Sequence, residues 1–429
     1  MMNNINTIDN YNLSNKQSFI MNITCLTSIV LIFLGVSYSN YFLVLCFIFN
    51  SIICLFLNTK YCFCLLMFLM PFGLVYKING VNTSFFTILE LLVELIVIYR
   101  MRIFKKSNVI AIIFPLIYFS IIMGTYYFSI FKILATLLLI YLFIANYKIY
   151  DLKTYIMYFA VSLILSSIIG LFKENINGLL SYYTDLNYEW INGVYKIRFS
   201  GLFNDPNYYT IAIITALLVL IFVKKTMNMS TLIYFLLYIA LSIFGFLTYS
   251  KSFLIMYILI LFTTFYFNIL DKRFNFLAIE IVFIIMIIFL IVYGRIPIIN
   301  DFLYRFTNSQ GLTTGRDLIW KRYIEKINSN FKNILFGCGL DAEYVGGKAT
   351  HNMYLELIYY SGFVGMTIYL ASIFFIIFSN TNRRKIKLLN IIPMIMIFSM
   401  YFFLSAFLNY AFPFYMIFLW CLLNVKYKR

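Results

Sequence analysis

Residues 350–378 read THNMYLELIYYSGFVGMTIYLASIFFIIF. From Met353 onward the stretch is apolar, with Glu356 as its one charge. A helix of that length, rising about 1.5 Å per residue, crosses a hydrocarbon core roughly 30 Å thick. Immediately before it stands His351, the single histidine of 429 residues. A polar segment (about residues 295 to 350) therefore meets an apolar one (about 352 to 378) at a side chain that titrates near neutral pH. Two readings follow for His351: an interfacial cap that satisfies a helix end, or a proton-transfer or charge-recognition group.

Working outward, the rest of the chain repeats the apolar pattern. The residues are 63% hydrophobic and 11% charged, and mean hydropathy is +0.90. A soluble globule carries about 25% charged residues, so that class is excluded. Apolar runs are continuous rather than alternating, which argues against an outer-membrane barrel and against strands in general. The expected fold class is an all-α polytopic membrane protein, a single integral membrane domain over residues 1–429. Fourteen candidate spans (12–14 if pairs among the first four are re-entrant) run roughly 19–37, 40–57, 61–76, 84–99, 108–124, 127–146, 154–172, 207–223, 231–248, 252–270, 275–294, 352–378, 389–404 and 408–425.

The net charge of +17 does not point to nucleic acid, because Lys and Arg collect in alternate short links. Lys60, Arg100 to Lys106, Lys148 with Lys153, Lys224-Lys225, Lys272-Arg273 and Arg383 to Lys387 share one side with Lys16 and the C-terminal Lys426 to Arg429. The opposite links, such as Ser37 to Asn40 and Ser405 to Asn409, are nearly uncharged. By the positive-inside rule the basic side is the cytoplasm, with both termini inside. The polar N-terminus has no basic n-region or cleavage site and reads as a cytoplasmic tail. The seven cysteines have no paired spacing, which leaves no disulfide framework and no zinc site.

Two links on the outer side are long: residues 173–206, with Trp190, Lys196 and Arg198, and residues 295–351, with Arg305, Arg316 and Trp320. Loops of that length usually carry function or structure. In the second, Thr314-x-x-Asp317 reads as a capping box. Ile319, Trp320, Tyr323, Ile324 and Ile327 then recur at helical spacing against Lys321, Arg322 and Lys326. This predicts an amphipathic helix on the leaflet surface or over a cavity. Gly337-Cys338-Gly339 and Gly346-Gly347 mark turns ahead of His351.

Three polar clusters lie at outer span ends. In Asn204-Asp205-Pro206-Asn207 either Asn204 or Asp205 serves as a helix N-cap, a role that does not require Arg198 a few residues earlier. Thr248-Tyr249-Ser250-Lys251-Ser252 places one lysine in an otherwise uncharged link, either a snorkelling side chain or an anion contact. Arg305, Arg316 and His351 form the third; Arg316 falls in a helix first turn, and its fork suits bidentate phosphate binding. Each arginine alone is equally a solvated loop charge. Within the spans, Glu90 and Glu94 stand four apart on one helical face, and Glu356 lies one turn below Asn352. Intramembrane carboxylates are functional candidates. Walker, zinc and dinucleotide motifs are missing from the sequence, and only Asp341 with Glu343 leaves room for Mg²⁺.

These residues carry a resemblance. His351-Asn352, nine residues and then Gly362-x-x-Gly365 resembles the histidine and double-glycine motif of bacterial O-antigen ligases and Wzy-type O-antigen polymerases. Arg198-x-x-Gly201 with Pro206-Asn207 is similar to their first-loop segment, and Gly315-Arg316 with Trp320 to the start of their long-loop helix. The resemblance covers about residues 195 to 380, and the first third matches only as apolar spans. Lys251 departs from it, since such families often carry Thr-Ser-Arg there.

The resemblance implies a GT-C-like, metal-independent, inverting glycosyltransferase without cofactor, at the periplasmic face of the bacterial inner membrane. Its substrates are undecaprenyl-diphosphate-linked oligosaccharides, and a chain-length regulator and a flippase are the partners expected in the same membrane. Physical chemistry assigns roles in such a reaction. The departing diphosphate is met by Arg198, Arg305 and Arg316, with Lys251 a fourth cation. The acceptor hydroxyl needs a base, for which His351 is first choice and Glu356 and Asp205 are carboxylate alternatives. Alternatively His351 is itself a diphosphate contact. Asn207 and Asn352 complete the expected site. A polymerase is favoured over a ligase by the Phe203 to Asn207 segment and the lysine-bearing link. From another class, a lipid-linked sugar flippase or proton-coupled transporter explains Glu90 and Glu94 but not two long loops converging on one histidine.

Overall fold

The computed structural model describes residues 2–78, 83–101, 105–122, 127–148, 151–172, 187–191, 194–270, 304–305, 315–340, 342–381, 388–405 and 407–425. The expected span 275–294 and the first part of each long loop lie outside these residues. The chain begins with α1 (Met2–Ser37), α2 (Tyr41–Phe56), α3 (Thr59–Leu69), α4 (Phe85–Arg100), α5 (Lys106–Ile122), α6 (Tyr127–Asn146) and α7 (Leu152–Leu171). A ribbon, β1 (Asn187–Ile191) and β2 (Val194–Arg198), precedes α8 (Pro206–Thr226), α9 (Thr231–Phe246) and α10 (Lys251–Leu270). The second long loop contributes α11 (Arg316–Asn328) and α12 (Phe331–Phe336), followed by α13 (Met353–Ser379), α14 (Leu388–Met400) and α15 (Phe412–Asn424).

Among the described residues, five helical stretches are long and apolar enough to cross a membrane: Asn15–Ser37, Ser129–Asn146, Leu152–Leu171, Pro206–Thr226 and Met353–Ser379. Shorter apolar helices pack among them. α8 is the axis, with every residue from Tyr209 to Val223 buried. α7, α9, α10, α14 and α15 surround it. α15 is likewise buried on all sides from Phe412 to Leu423. A helix apolar all round belongs in the middle of a bundle. On the rim, Leu26 of α1, Leu55 of α2, Phe114 and Ile117 of α5, Leu236 of α9 and Phe262 of α10 are exposed. An apolar girdle of that extent has no counterpart on soluble monomers. The protein is a helical, membrane-embedded bundle.

Three local expectations are corrected. Strands occur after all: β1 and β2 pair antiparallel with Glu189 opposite Lys196 and Asn187 opposite Arg198. Their alternating, β-branched and aromatic sequences flank Asn192-Gly193, a hairpin signal. The capping box at Thr314 does not start α11. The N-cap is Gly315, left-handed at φ 78°, with no side-chain cap, and the helix opens at Arg316; Thr314 lies outside the described residues. The run 352–378 is not one straight helix, because it breaks at Gly362 (φ 66°, ψ −178°).

That break is where the long loop docks. Gly337, which ends α12, has φ 79° and ψ −177°. Both glycines thus occupy a backbone region essentially closed to other residues. A Cβ on Gly362 would sit 2.2 Å from the carbonyl carbon of Leu335, and one on Gly337 2.4 Å from that of Tyr360. The two main chains touch. Cys338 N–H donates to Tyr359 O at 2.7 Å and Gly339 N–H to Tyr360 O at 3.1 Å, satisfying carbonyls near the break. Tyr118 of α5 donates its hydroxyl to Ser361 O at 2.6 Å.

α11 lies back on this junction. Tyr323 and Ile327 are buried with Tyr359, and the Tyr323 and Tyr359 rings meet edge-on at 4.8 Å. Ile324, expected on the same face, is 47% exposed, since it lies about 100° around the helix from Tyr323.

Candidate functional site

The first cluster is built by the ribbon and the α9–α10 link. Residues two apart on a strand share a face, so Arg198 and Lys196 stand on the side of β2 that faces Glu189 across the ladder. Glu189 gathers two guanidinium groups. Its Oε2 lies 3.3 Å from Arg198 Nε, and its Oε1 accepts from Arg305 Nε at 2.9 Å and lies 2.9 Å from Nη2. Arg198 Nε also donates to Thr248 O at 3.2 Å, and Phe199 N–H donates to Leu247 O at 3.0 Å. Gly201, at φ 55°, lets the chain turn against Gly170, where an added Cβ would lie 2.8 Å from the Gly201 backbone.

The turn then starts α8. Asp205 is its N-cap, accepting from Asn207 N–H at 2.6 Å, with Pro206 in the first turn. Of the two residues expected to cap, Asp205 does so. Asn207 is buried and accepts at Oδ1 from Ser250 Oγ at 3.0 Å. Ser250 in turn shares a 2.7 Å hydrogen bond with Ser252. Asn207 thus ties α8 to the link that ends at Lys251, and Lys251 feels the charges of Arg305 and Glu189.

The second cluster is built around His351. Trp320 donates its indole N–H to Thr350 O at 2.8 Å, and Tyr323 its hydroxyl to Lys348 O at 2.7 Å. Ser405, in the α14–α15 link, bonds Thr350 Oγ1 at 3.0 Å and accepts from His351 N–H at 2.9 Å. Tyr208 of α8 donates its hydroxyl to Ser405 O. Held this way, His351 adopts φ 48°, a left-handed conformation that costs an L-residue roughly 1–2 kcal/mol. Tyr249, just before Ser250 and Lys251, has φ 49°. Such strain persists only where surroundings over-determine it and collects at functional sites.

The helix-cap reading of His351 is overturned. Asn352 is the cap, its Oδ1 accepting from Tyr354 N–H and Leu355 N–H at 3.0 Å each. Asn352 is therefore a positioning residue. Among the described residues no hydrogen bond engages the His351 ring. Arg316 donates from Nη1 to Phe403 O at 3.1 Å, two residues before Ser405. Glu356 is buried and its Oε2 takes Phe407 N–H at 3.5 Å; among the described residues no hydrogen bond joins it to His351.

Electrostatics joins the two clusters. Burial, then the Arg316 cation, hold the His351 imidazole below its ordinary value, while Asp205 pulls it upward. The ring is therefore a neutral acceptor at pH 7. Burial, then Arg305, bring Arg198 down to about 10, partly offset by Glu189 and Asp205; it remains a cation. Burial lowers Arg316, and Asp205 opposes that. Three arginines thus share the neighbourhood of Glu189 and Asp205. Arg198 Nη2 is buried and, among the described residues, has no acceptor. A buried, unsatisfied charged donor is costly, and an anion would satisfy it.

No family model, curated protein or solved structure matches the chain. The site is therefore read from its own geometry. Arg198, Arg305, Arg316, Lys251, Asp205 and His351 are brought together. Asn207 and Asn352 support them, and Glu356 stands apart on the Phe407 amide. Sequence reading missed Glu189, Tyr208 and Ser405. The hairpin pattern about Asn192-Gly193 was the available signal for Glu189, because it sets that carboxylate on the same face as Arg198. Ser405 had no signal beyond its place in an uncharged link. Among the described residues no three His, Cys, Asp or Glu side chains cluster as metal ligands; Asp341 lies outside them.

Proposed function

We propose that this chain is a surface-polysaccharide polymerase of the O-antigen type. It joins polyprenyl-diphosphate-linked repeat units by inverting glycosyl transfer. The observation that carries the proposal is the buried Nη2 of Arg198 without an acceptor, beside Arg305, Arg316 and the neutral imidazole of His351. In the reaction an acceptor sugar hydroxyl attacks the anomeric carbon of the donor. His351 takes the hydroxyl proton, and the C1–O bond breaks with its electron pair leaving on the diphosphate. Arg198, Arg305 and Arg316 stabilise that charge as it develops, with Lys251 at the edge. A sugar hydroxyl is far too weak an acid to ionise at pH 7, and a positioned base is worth roughly 10²- to 10⁴-fold.

This reading includes a bundle of fourteen spans in the bacterial inner membrane, both termini cytoplasmic, and the two loops 173–206 and 295–351 at the periplasmic face. Reporter fusions test it: residues 185 and 330 outside, residues 103, 273 and 384 inside. A cytoplasmic signal from within 295–351 sinks the mechanism. Polymerase and ligase share donor chemistry and differ in the acceptor. A strain deleted for a polymerase keeps a core bearing a single repeat and loses the ladder. A bare core with long lipid-linked chains accumulating would make the chain a ligase instead.

A further inference from the structure

A polar cavity of about 260 Å³ lies beside the α14–α15 link, whose Ser405 holds His351. The same link joins the two sites, since Leu408 to Tyr410 line the cavity. A space of that size accommodates a small polar ligand such as a single pyranose ring. Its polar lining includes Lys77, Thr87, Glu90, Lys132, Thr136 and Asn409.

The lysine on α6 is the informative one. It stands inside an apolar span, Ser129–Asn146, where a cation is costly and marks function by default. Among the described residues no hydrogen bond or ion pair engages it. Glu90, buried on α4, borders the same space, so two lysines and one glutamate are among the residues that line it. Hydroxyls and an amide supply the remaining polar surface. Tyr410 forms a flat wall, fixed edge-on against Phe86 at 5.5 Å and packed so closely on Gly73 that a Cβ there would lie 2.6 Å from its ring.

We propose that this cavity binds one residue of an acidic saccharide. The carboxylate lies between Lys77 and Lys132, and the ring hydroxyls meet Thr87, Thr136 and Asn409. An ionic group alone needs no hydroxyls and amide beside it, and a neutral sugar needs no lysine set inside an apolar span. The combination selects a sugar bearing an acid. The assignment rests on the chain being a glycan-handling enzyme, and it names a specificity determinant of that activity.

Saturation-transfer NMR on the purified full-length protein in lipid nanodiscs tests it, with methyl β-glucuronide, methyl β-glucoside and inorganic phosphate as probes. The glucuronide is expected to saturate and the glucoside to do so at least about tenfold more weakly, the scale of one charge-assisted hydrogen bond. Lys132→Gln and, as a second variant, Lys77→Gln should each weaken glucuronide binding by a similar factor. His351→Ala should leave it unchanged. Equal binding of glucuronide and glucoside, wild-type affinity in both lysine variants, or binding of phosphate alone would overturn the proposal. Polymer formed by His351→Ala cells would instead overturn the transfer reading, so the two failures are distinguishable.

Discussion

The arginine site and the lysine cavity are joined by the α14–α15 link and hold their cations in opposite ways. In the first, Glu189 fixes Arg198 and Arg305, and the carbonyls of Thr248 and Phe403 fix Arg198 and Arg316. The forks are held before any ligand arrives, which suits a charge that appears only as a bond breaks. In the second, Lys132 sits on a flexible stem with no such fixation. An ammonium of that kind follows whatever acid it meets, which suits a site that selects among sugars. Fixed planar donors suit a charge that develops in place, and adjustable ones suit a choice among ligands.

The comparison breaks first at its catalytic side. His351→Ala and Arg198→Ala should each lower polymer yield by about 10²-fold or more, with protein level and membrane insertion unchanged on immunoblots of membrane fractions. Wild-type ladders from either variant would remove the distinction between the two sites.

Gly362→Ala comes next. Forcing a side chain into that backbone region costs about 1–3 kcal/mol, and the added methyl meets the Leu335 carbonyl. The 295–351 loop should come loose, read as faster limited proteolysis of that loop, and activity should fall with it. A protease pattern identical to wild type would mean that the clasp does not position His351.

Exchanging the two cation types sharpens the contrast. Arg198→Lys keeps the charge and loses the fork, so polymer yield should recover only partly from the alanine level. Lys132→Arg keeps the charge at an adjustable position and should leave yield within a factor of about three, since a retained charge preserves most of such a contact. Full rescue at Arg198 would reduce it to a point charge.

The smallest effect concerns pH. Because burial, then the Arg316 cation, lower the His351 pKa, the acid limb of activity lies below the pH at which a free histidine would set it. Arg316→Gln removes a cation that opposes protonation, so the limb should move to higher pH. Asp205→Asn removes the anion that favours protonation, so the limb should move lower. Movement in the reverse sense would mean that a different group is titrating.

Much of this architecture is legible in the chain. Apolar runs such as 207–223 read as membrane spans, although nothing in them separates the buried axis from the exposed rim helices, and Asp205-Pro206 starts α8 by the turn chemistry that its sequence displays. Arg198, Arg305, Arg316 and His351 stand out because charged residues are rare here. What stays hidden are contacts that depend on two distant segments meeting. Ser405 is one hydroxyl among many until His351 N–H reaches it. Glu356 looks adjacent to His351 along the helix, yet its carboxylate turns to Phe407. Glycine spacing is visible as a motif, but the reason for it, two backbones in contact, is visible only in three dimensions.

That contact has a consequence for how such a protein can change over time. Gly337 and Gly362 secure the long loop through main-chain atoms, and the hydrogen bonds from Cys338 and Gly339 are main-chain bonds as well. Side chains such as Trp320, Tyr323 and Ile327 add to the attachment, but the clasp itself does not depend on them. Loop positions that make none of these contacts can therefore change while the main-chain anchorage and the placing of His351 stay put. Two glycines set the anchor point, and the freedom to change belongs to side chains that touch neither this clasp nor the His351 cluster.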